Sequence, residues 1–152
     1  MHSRLRSSQI IRMSRASLTR RIGFAAAHRY RRPDWTNEKN ESVFGLCARE
    51  SFHGHTYVCE VTISGVIDPE TGFIIDLGVF DTILDEEVKS RFDHRNINLD
   101  VPEFADGKLI PSGENIARFV FTQIGARLPD GVELENVTIA EDRTLSASYS
   151  GE

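Results

Sequence analysis

The stretch HTYVCEVTISGV, residues 55–66, decides the fold. His55, Tyr57, Cys59, Val61 and Ile63 alternate with Thr56, Val58, Glu60, Thr62 and Ser64. Successive side chains of a strand point to opposite faces, so this period of two marks a strand, the clearest in the chain.

Upstream, LTRRIGFAAAH (18–28) reads as a first strand ending on His28. A polar, proline-containing loop from Arg29 to about Ser51 separates the two strands and holds Trp35. Ordered loops of this length tend to be functional, which makes this one a candidate active-site wall. Residues 1–18 are rich in Arg and Ser, lack acidic residues and show no sustained periodicity, so they are expected to form a disordered basic tail outside the fold. Their composition also matches a mitochondrial transit peptide, and Met13 is an alternative start; a plain tail is the favoured reading.

Downstream, Asp68-Pro69-Glu70-Thr71-Gly72 reads as a turn and Phe73–Asp76 as a short extended piece. Val79, Phe80, Ile83, Leu84 and Val88 recur at helical spacing, which predicts a helix over 77–90. A second helix over 113–127 carries Ile116, Phe119, Val120, Ile124 and the trailing Leu128 on one stripe, with Ser112 as N-cap after Pro111. Strands follow near 133–141 and 144–150.

The order ββααββ predicts one α+β domain over 19–152, an antiparallel sheet with both helices on one face. The other face and the sheet edges need cover, which in so small a chain points to further copies of itself. At 152 residues and 39% hydrophobic content there is enough for one core.

Net charge is −5, and after residue 32 nine basic side chains face 23 acidic ones. An acidic body argues against nucleic acid as partner, since phosphate binding needs a basic face. No stretch approaches the roughly 18 apolar residues of a membrane span, and no apolar segment follows the basic N-terminus, so a soluble, cytoplasmic protein is expected. Cys47 and Cys59 form no disulfide framework of the secreted kind.

His53-Gly54-His55 opens the second strand, where a spacing of two sends both imidazoles to one face. His28 ends the neighbouring strand, so antiparallel pairing can bring it beside them. Three neutral imidazoles with an open fourth position suit a catalytic zinc; a fourth ligand, for which Cys47 is available, would make a closed structural site and a zinc-stabilised binding module. Cys47, six residues before His53, reads either as a thiolate base or nucleophile or as an inert thiol. Cys59, on the apolar strand face, reads as buried and inert. Asp93-His94 is either a proton relay or a turn feature. Glu141 is by itself an acidic residue at a strand end.

Five segments, FAAAH (24–28), FGLCARESFHGHTYVCEVTISGVIDPETG (44–72), FDHRNINLDVPEFAD (92–106), SGENIA (112–117) and IAEDRTLSASYSGE (139–152), resemble the 6-pyruvoyl-tetrahydropterin synthase family in order and spacing. The resemblance implies the tunnelling fold, in which three subunits close a barrel and two trimers stack as a homohexamer. It further implies that His28, His53 and His55 bind zinc, Cys47 is the catalytic base, Asp93 and His94 assist proton transfer, and Glu141 anchors the pterin. The implied reaction converts 7,8-dihydroneopterin triphosphate to 6-pyruvoyl-tetrahydropterin.

Two features depart from the family pattern. Pro111-Ser112-Gly113-Glu114 stands where threonines usually precede the glutamate, so Ser112 and Glu114 are the substrate contacts implied here, with one hydroxyl fewer. Glu50, three residues before His53, stands where a subgroup lacking the cysteine places a catalytic glutamate; that subgroup cleaves the side chain to 6-hydroxymethyl-dihydropterin for folate synthesis. A solvated loop carboxylate is the alternative for Glu50. The related 6-carboxy-tetrahydropterin synthases of queuosine synthesis have a shorter Cys-to-His spacing than the one here, which favours the pyruvoyl type.

Overall fold

The computed structural model describes residues 13–152. In chain order it contains strand β1 (Arg15–His28), helix α1 (Asn37–Phe44) with a 3-10 turn (Gly45–Ala48), and strand β2 (His53–Val66). Helix α2 (Leu77–Leu84) runs through a π turn (Asp85–Lys89) into α3 (Ser90–Phe92). Then come the short strand β3 (Arg95–Asn96), α4 (Ile97–Asp100), a 3-10 turn (Pro102–Phe104), the long helix α5 (Gly113–Gly125), β4 (Val132–Ala140) and β5 (Ser146–Tyr149).

The strands form one sheet in the order β3-β1-β2-β4-β5. All pairings are antiparallel except β1 with β3, so the sheet is mixed where an antiparallel one was expected. Only two residues make that parallel pair, Arg95 and Asn96, too few to show as a strand in the sequence.

Alternation along β2 survives as burial. Tyr57, Cys59, Val61 and Ile63 have no exposed surface, while Thr56 is exposed and Val58, Glu60, Thr62 and Ser64 are partly exposed. Phe24 of β1 pairs with Tyr57, and their rings stack at 4.7 Å. Phe80, Ile83, Leu84 and Val88 from the α2 region and Ile116, Ala117, Phe119, Val120 and Ile124 from α5 join the same core, so both long helices cover this one face. Val79, expected on the stripe, is 49% exposed. Asp76 Oδ1 accepts from Val79 N at 2.9 Å and starts α2; Ser112 Oγ accepts from Asn115 N at 3.3 Å and caps α5 as expected.

Polar pairs occupy the opposite face: Thr19 and Thr62 hydroxyls at 2.7 Å, Arg21 with Glu60 at 2.6 Å, and Thr138 with Ser148 at 2.6 Å. The sheet is open at β3 and β5. Among the described residues no helix is long and apolar enough to cross a membrane.

Three boundaries differ from expectation. β1 starts at Arg15, inside the stretch read as tail, because residues 15–18 pair in register with Val66–Ile63 and their polar side chains point to the polar face. Residues 1–12 of that tail lie outside the described residues. The expected loop 29–51 holds α1, whose first turn is capped by Thr36 Oγ1 accepting from Lys39 N at 3.1 Å. Phe73–Asp76 is irregular, joining no ladder, although the turn before it closes as expected through Gly72 N to Asp68 O at 2.8 Å.

Candidate active site

His28 and His53 are cross-strand partners in the β1–β2 register, and His55 follows two residues on along the same face. One ring nitrogen from each lies within 4.8 Å of the other two. The rings cross at 66–88°, so their edges converge. His28 is fully buried, and its Nδ1 is 2.8 Å from the Pro111 carbonyl and 3.1 Å from the Tyr57 hydroxyl. A carbonyl only accepts, so Nδ1 carries the proton and Nε2 turns its lone pair toward the other imidazoles. Burial pulls the His28 pKa down to about 4, against the raising effect of the Pro111 bond, with His53 and His55 adding to the fall. Burial and the neighbouring His55 likewise lower His53.

His55 Nε2 is buried and has no hydrogen-bond partner; the nearest carboxylate oxygen, Glu141 Oε2, is 3.7 Å away. An orphaned ring nitrogen beside two neutral imidazoles is the donor set that a borderline cation takes, so the three residues fit a metal ion. Among the described residues the group has no fourth member. Cys47 is not part of it; the 3-10 turn that carries it is tied to Tyr30, whose N–H donates to the Cys47 carbonyl at 2.7 Å. Among the described residues a site closed by four protein ligands is therefore not formed.

A cavity of about 470 Å³ is walled by Tyr30, Phe44, Ser112, Gly113, Glu114 and Glu141 and by Leu145–Ala147, and it adjoins the imidazoles through Tyr30 and Glu141. Glu141 is 8% exposed and stands between cavity and imidazoles. The Tyr30 hydroxyl donates to its Oε1 at 3.1 Å. Gly113 lets the helix start approach closely, since a Cβ there would meet Ala147 Cβ at 3.2 Å. Ser112 and Glu114 both line the cavity, although the Ser112 hydroxyl is already engaged as the cap of α5.

Cys47 is partly buried; burial and then the Glu141 charge push its thiol up. Cys59 is fully buried, and burial pushes its thiol up to about 12, as expected of an inert residue. Glu50 is an exposed turn residue that makes no side-chain hydrogen bond or ion pair among the described residues. Asp93 Oδ1 accepts from Ala25 N at 2.9 Å, which lowers its pKa, and its Oδ2 lies 3.9 Å from His94 Nε2. The His94 side chain is 86% exposed, at a positive φ of 56°. His94 and His55 line one surface cavity together with Ala25–Ala27 and Gly54, but among the described residues no hydrogen bond or ion pair joins Asp93 or His94 to Cys47 or to the three imidazoles.

The 6-pyruvoyl tetrahydropterin synthase family profile matches residues 17–152. The chain belongs to this family. It is accordingly a lyase of the 6-pyruvoyl tetrahydropterin synthase type. It is 36% identical over 141 residues to the 6-pyruvoyl tetrahydrobiopterin synthase of Homo sapiens, covering 93% of this chain and 95% of that protein. The dihydroneopterin monophosphate aldolase of Pyrococcus furiosus is 30% identical over 127 residues, covering 84% and 90%. Among solved structures, the Caenorhabditis elegans 6-pyruvoyl tetrahydropterin synthase superposes with a TM-score of 0.87 at 29% identity, covering 94% of this chain and all of that one.

Sequence reasoning passed over three groups that shape this family member's site. Tyr30 carried no motif, being a loop residue until the fold set it against Glu141. The Pro111 carbonyl is a main-chain atom, which no residue type announces. Asn98 is 7% exposed and clamps the chain just past His28, its Oδ1 accepting from Arg29 N at 2.9 Å and its Nδ2 donating to Arg29 O at 3.0 Å.

Proposed function

We propose that the chain is a zinc-dependent enzyme that converts 7,8-dihydroneopterin triphosphate to 6-pyruvoyl-tetrahydropterin with loss of triphosphate. The observation that carries this is the juxtaposition of an open three-imidazole group with a cavity whose one deeply buried carboxylate is Glu141. The name borne by the Homo sapiens relative supports the same reaction.

His28, His53 and His55 would hold the metal. When bound, it supplies a Lewis acid for the substrate's side-chain hydroxyls and a positive charge that favours the Cys47 thiolate. Glu141 accepts the N–H groups of the 2-amino-pyrimidinone edge and orients the ring, since a carboxylate matches two parallel donors. Ser112 and Glu114, at the start of α5, line the same ring pocket. Cys47 takes a carbon-bound proton from the side chain, and the C–O bond to triphosphate breaks with its electron pair. Asp93 and His94 move protons in the rearrangement that follows. Among the described residues they make no hydrogen bond or ion pair with the imidazoles of the same chain, and in this reading they act from a neighbouring copy, in an assembly of two stacked trimers that covers the polar sheet face and the edges at β3 and β5. The reaction is assigned to the cytoplasm.

The second reading, cleavage to 6-hydroxymethyl-dihydropterin with Glu50 as base, takes support from the P. furiosus aldolase relative. Exposure of Glu50 and the place of Cys47 beside Tyr30 and Glu141 favour the pyruvoyl product. Incubating zinc-loaded protein with 7,8-dihydroneopterin triphosphate and weighing the products decides the matter, because pyruvoyl, carboxy and hydroxymethyl pterins differ in mass. A carboxy or hydroxymethyl product alone overturns the proposal.

A further inference from the structure

Tyr30 lies where three parts of the site meet. Its hydroxyl donates to Glu141 Oε1 at 3.1 Å, its ring packs edge-on against His28 with centroids 5.0 Å apart, and its main-chain N–H donates to the Cys47 carbonyl at 2.7 Å. Phe44 holds the other side of the ring at 5.9 Å, and Phe44 in turn stacks on Trp35 at 5.7 Å. Asn98 fixes the main chain of the preceding residue, Arg29, through both its N–H and its carbonyl. The phenol therefore has little freedom, and it meets the one deeply buried carboxylate in the cavity.

Glu141 has two environments within reach. Its Oε2 is 3.7 Å from the orphaned Nε2 of His55, so a small rotation would carry it into the metal group. Its Oε1 is held on the cavity side by the Tyr30 hydroxyl. We infer that Tyr30 is a positioning residue for Glu141, keeping the carboxylate turned to the ligand cavity and off the three-imidazole group. The physical gain is preorganisation: a carboxylate already held in the binding orientation loses less freedom when the ligand arrives. Each carboxylate oxygen has two acceptor sites, so the Tyr30 bond leaves acceptors for a ligand N–H. Burial and the Glu141 charge push the Tyr30 phenol above its ordinary range, which keeps it a donor.

This inference rests on the reading of Glu141 as the acceptor for the pterin 2-amino edge. Binding of pterin and of lumazine, which carries oxygen in place of the 2-amino group, separates the two. The wild-type zinc protein is expected to prefer pterin by at least tenfold in fluorescence titrations. In Tyr30→Phe that preference is expected to shrink about tenfold, the scale of losing one bond to a charged group, while zinc stays at one per chain. Tyr30→Leu, without ring or hydroxyl, is expected to lose the preference equally, because the hydroxyl carries the effect. A preference unchanged in Tyr30→Phe, or pterin and lumazine weakened alike, overturns the inference and leaves the Glu141 reading standing. A wild type that does not distinguish the two ligands overturns the Glu141 reading, and the inference with it.

Discussion

His28 and His53 meet across the first strand pair with their Nε2 atoms 3.1 Å apart. Two lone pairs at that distance repel unless a proton or a cation lies between them. The Pro111 carbonyl accepts a hydrogen bond from the Nδ1–H of His28, so His28 Nε2 is left as the acceptor, and the burial that lowers His28 opposes a second proton. The contact is thus built to be bridged from the His53 side or by a metal.

Replacing any one of His28, His53 or His55 by Ala is expected to remove bound zinc, read as metal per chain after gel filtration. His28→Ala is expected also to lower stability by about 2–4 kcal/mol, since it empties a fully buried site and strands the Pro111 carbonyl, whereas the other two are only partly buried. Equal melting behaviour for the three metal-free variants would contradict this.

Cys47→Ala is expected to cut kcat by about a thousandfold, the scale of a lost general base, with pterin affinity kept. Glu50→Ala is expected to stay within about twofold of wild type, as for an exposed side chain without partners among the described residues. The reverse pattern in steady-state kinetics would move the proton-transfer role to Glu50.

Asn98→Ala is expected to cost about 1–2 kcal/mol in urea unfolding, because it leaves the part-buried N–H and carbonyl of Arg29 without their partners. Zinc binding is expected to weaken with it, since the clamp lies one residue past His28. A loss below about 0.5 kcal/mol would show that water replaces the amide.

Asp93 accepts the Ala25 N–H, and that bond first of all holds its carboxyl below the ordinary 3.8. A depressed carboxyl stabilises the fold above its unfolded value, and that contribution fades as pH falls through the folded value. The fall in urea midpoint between about pH 5 and about pH 3 is therefore expected to be smaller in Asp93→Asn than in wild type. An equal fall in both proteins would assign the acid sensitivity to other carboxylates.

Periodicity alone determined the strand of residues 55–66, the face on which His55 joins Tyr57 and Cys59, the two long helices and the Ser112 cap, because these depend on spacing within one element. His-x-His could be seen for the same reason. Tertiary structure decided what depends on pairing between elements: the register that sets His28 opposite His53, the parallel β3, and the extension of β1 back to Arg15 through a ladder that its polar residues do not advertise. Helix α1 was hidden because it is stapled from within by polar groups, Asn40 Oδ1 accepting from Arg32 N at 2.8 Å and Nδ2 donating to the Arg32 and Thr36 carbonyls at 3.0 Å, and so has no apolar stripe to read. Tyr30 and the Pro111 carbonyl became part of the site for one reason: hydrogen bonds across 111 and 83 residues of chain are made by folding and leave no local trace in the order of residues.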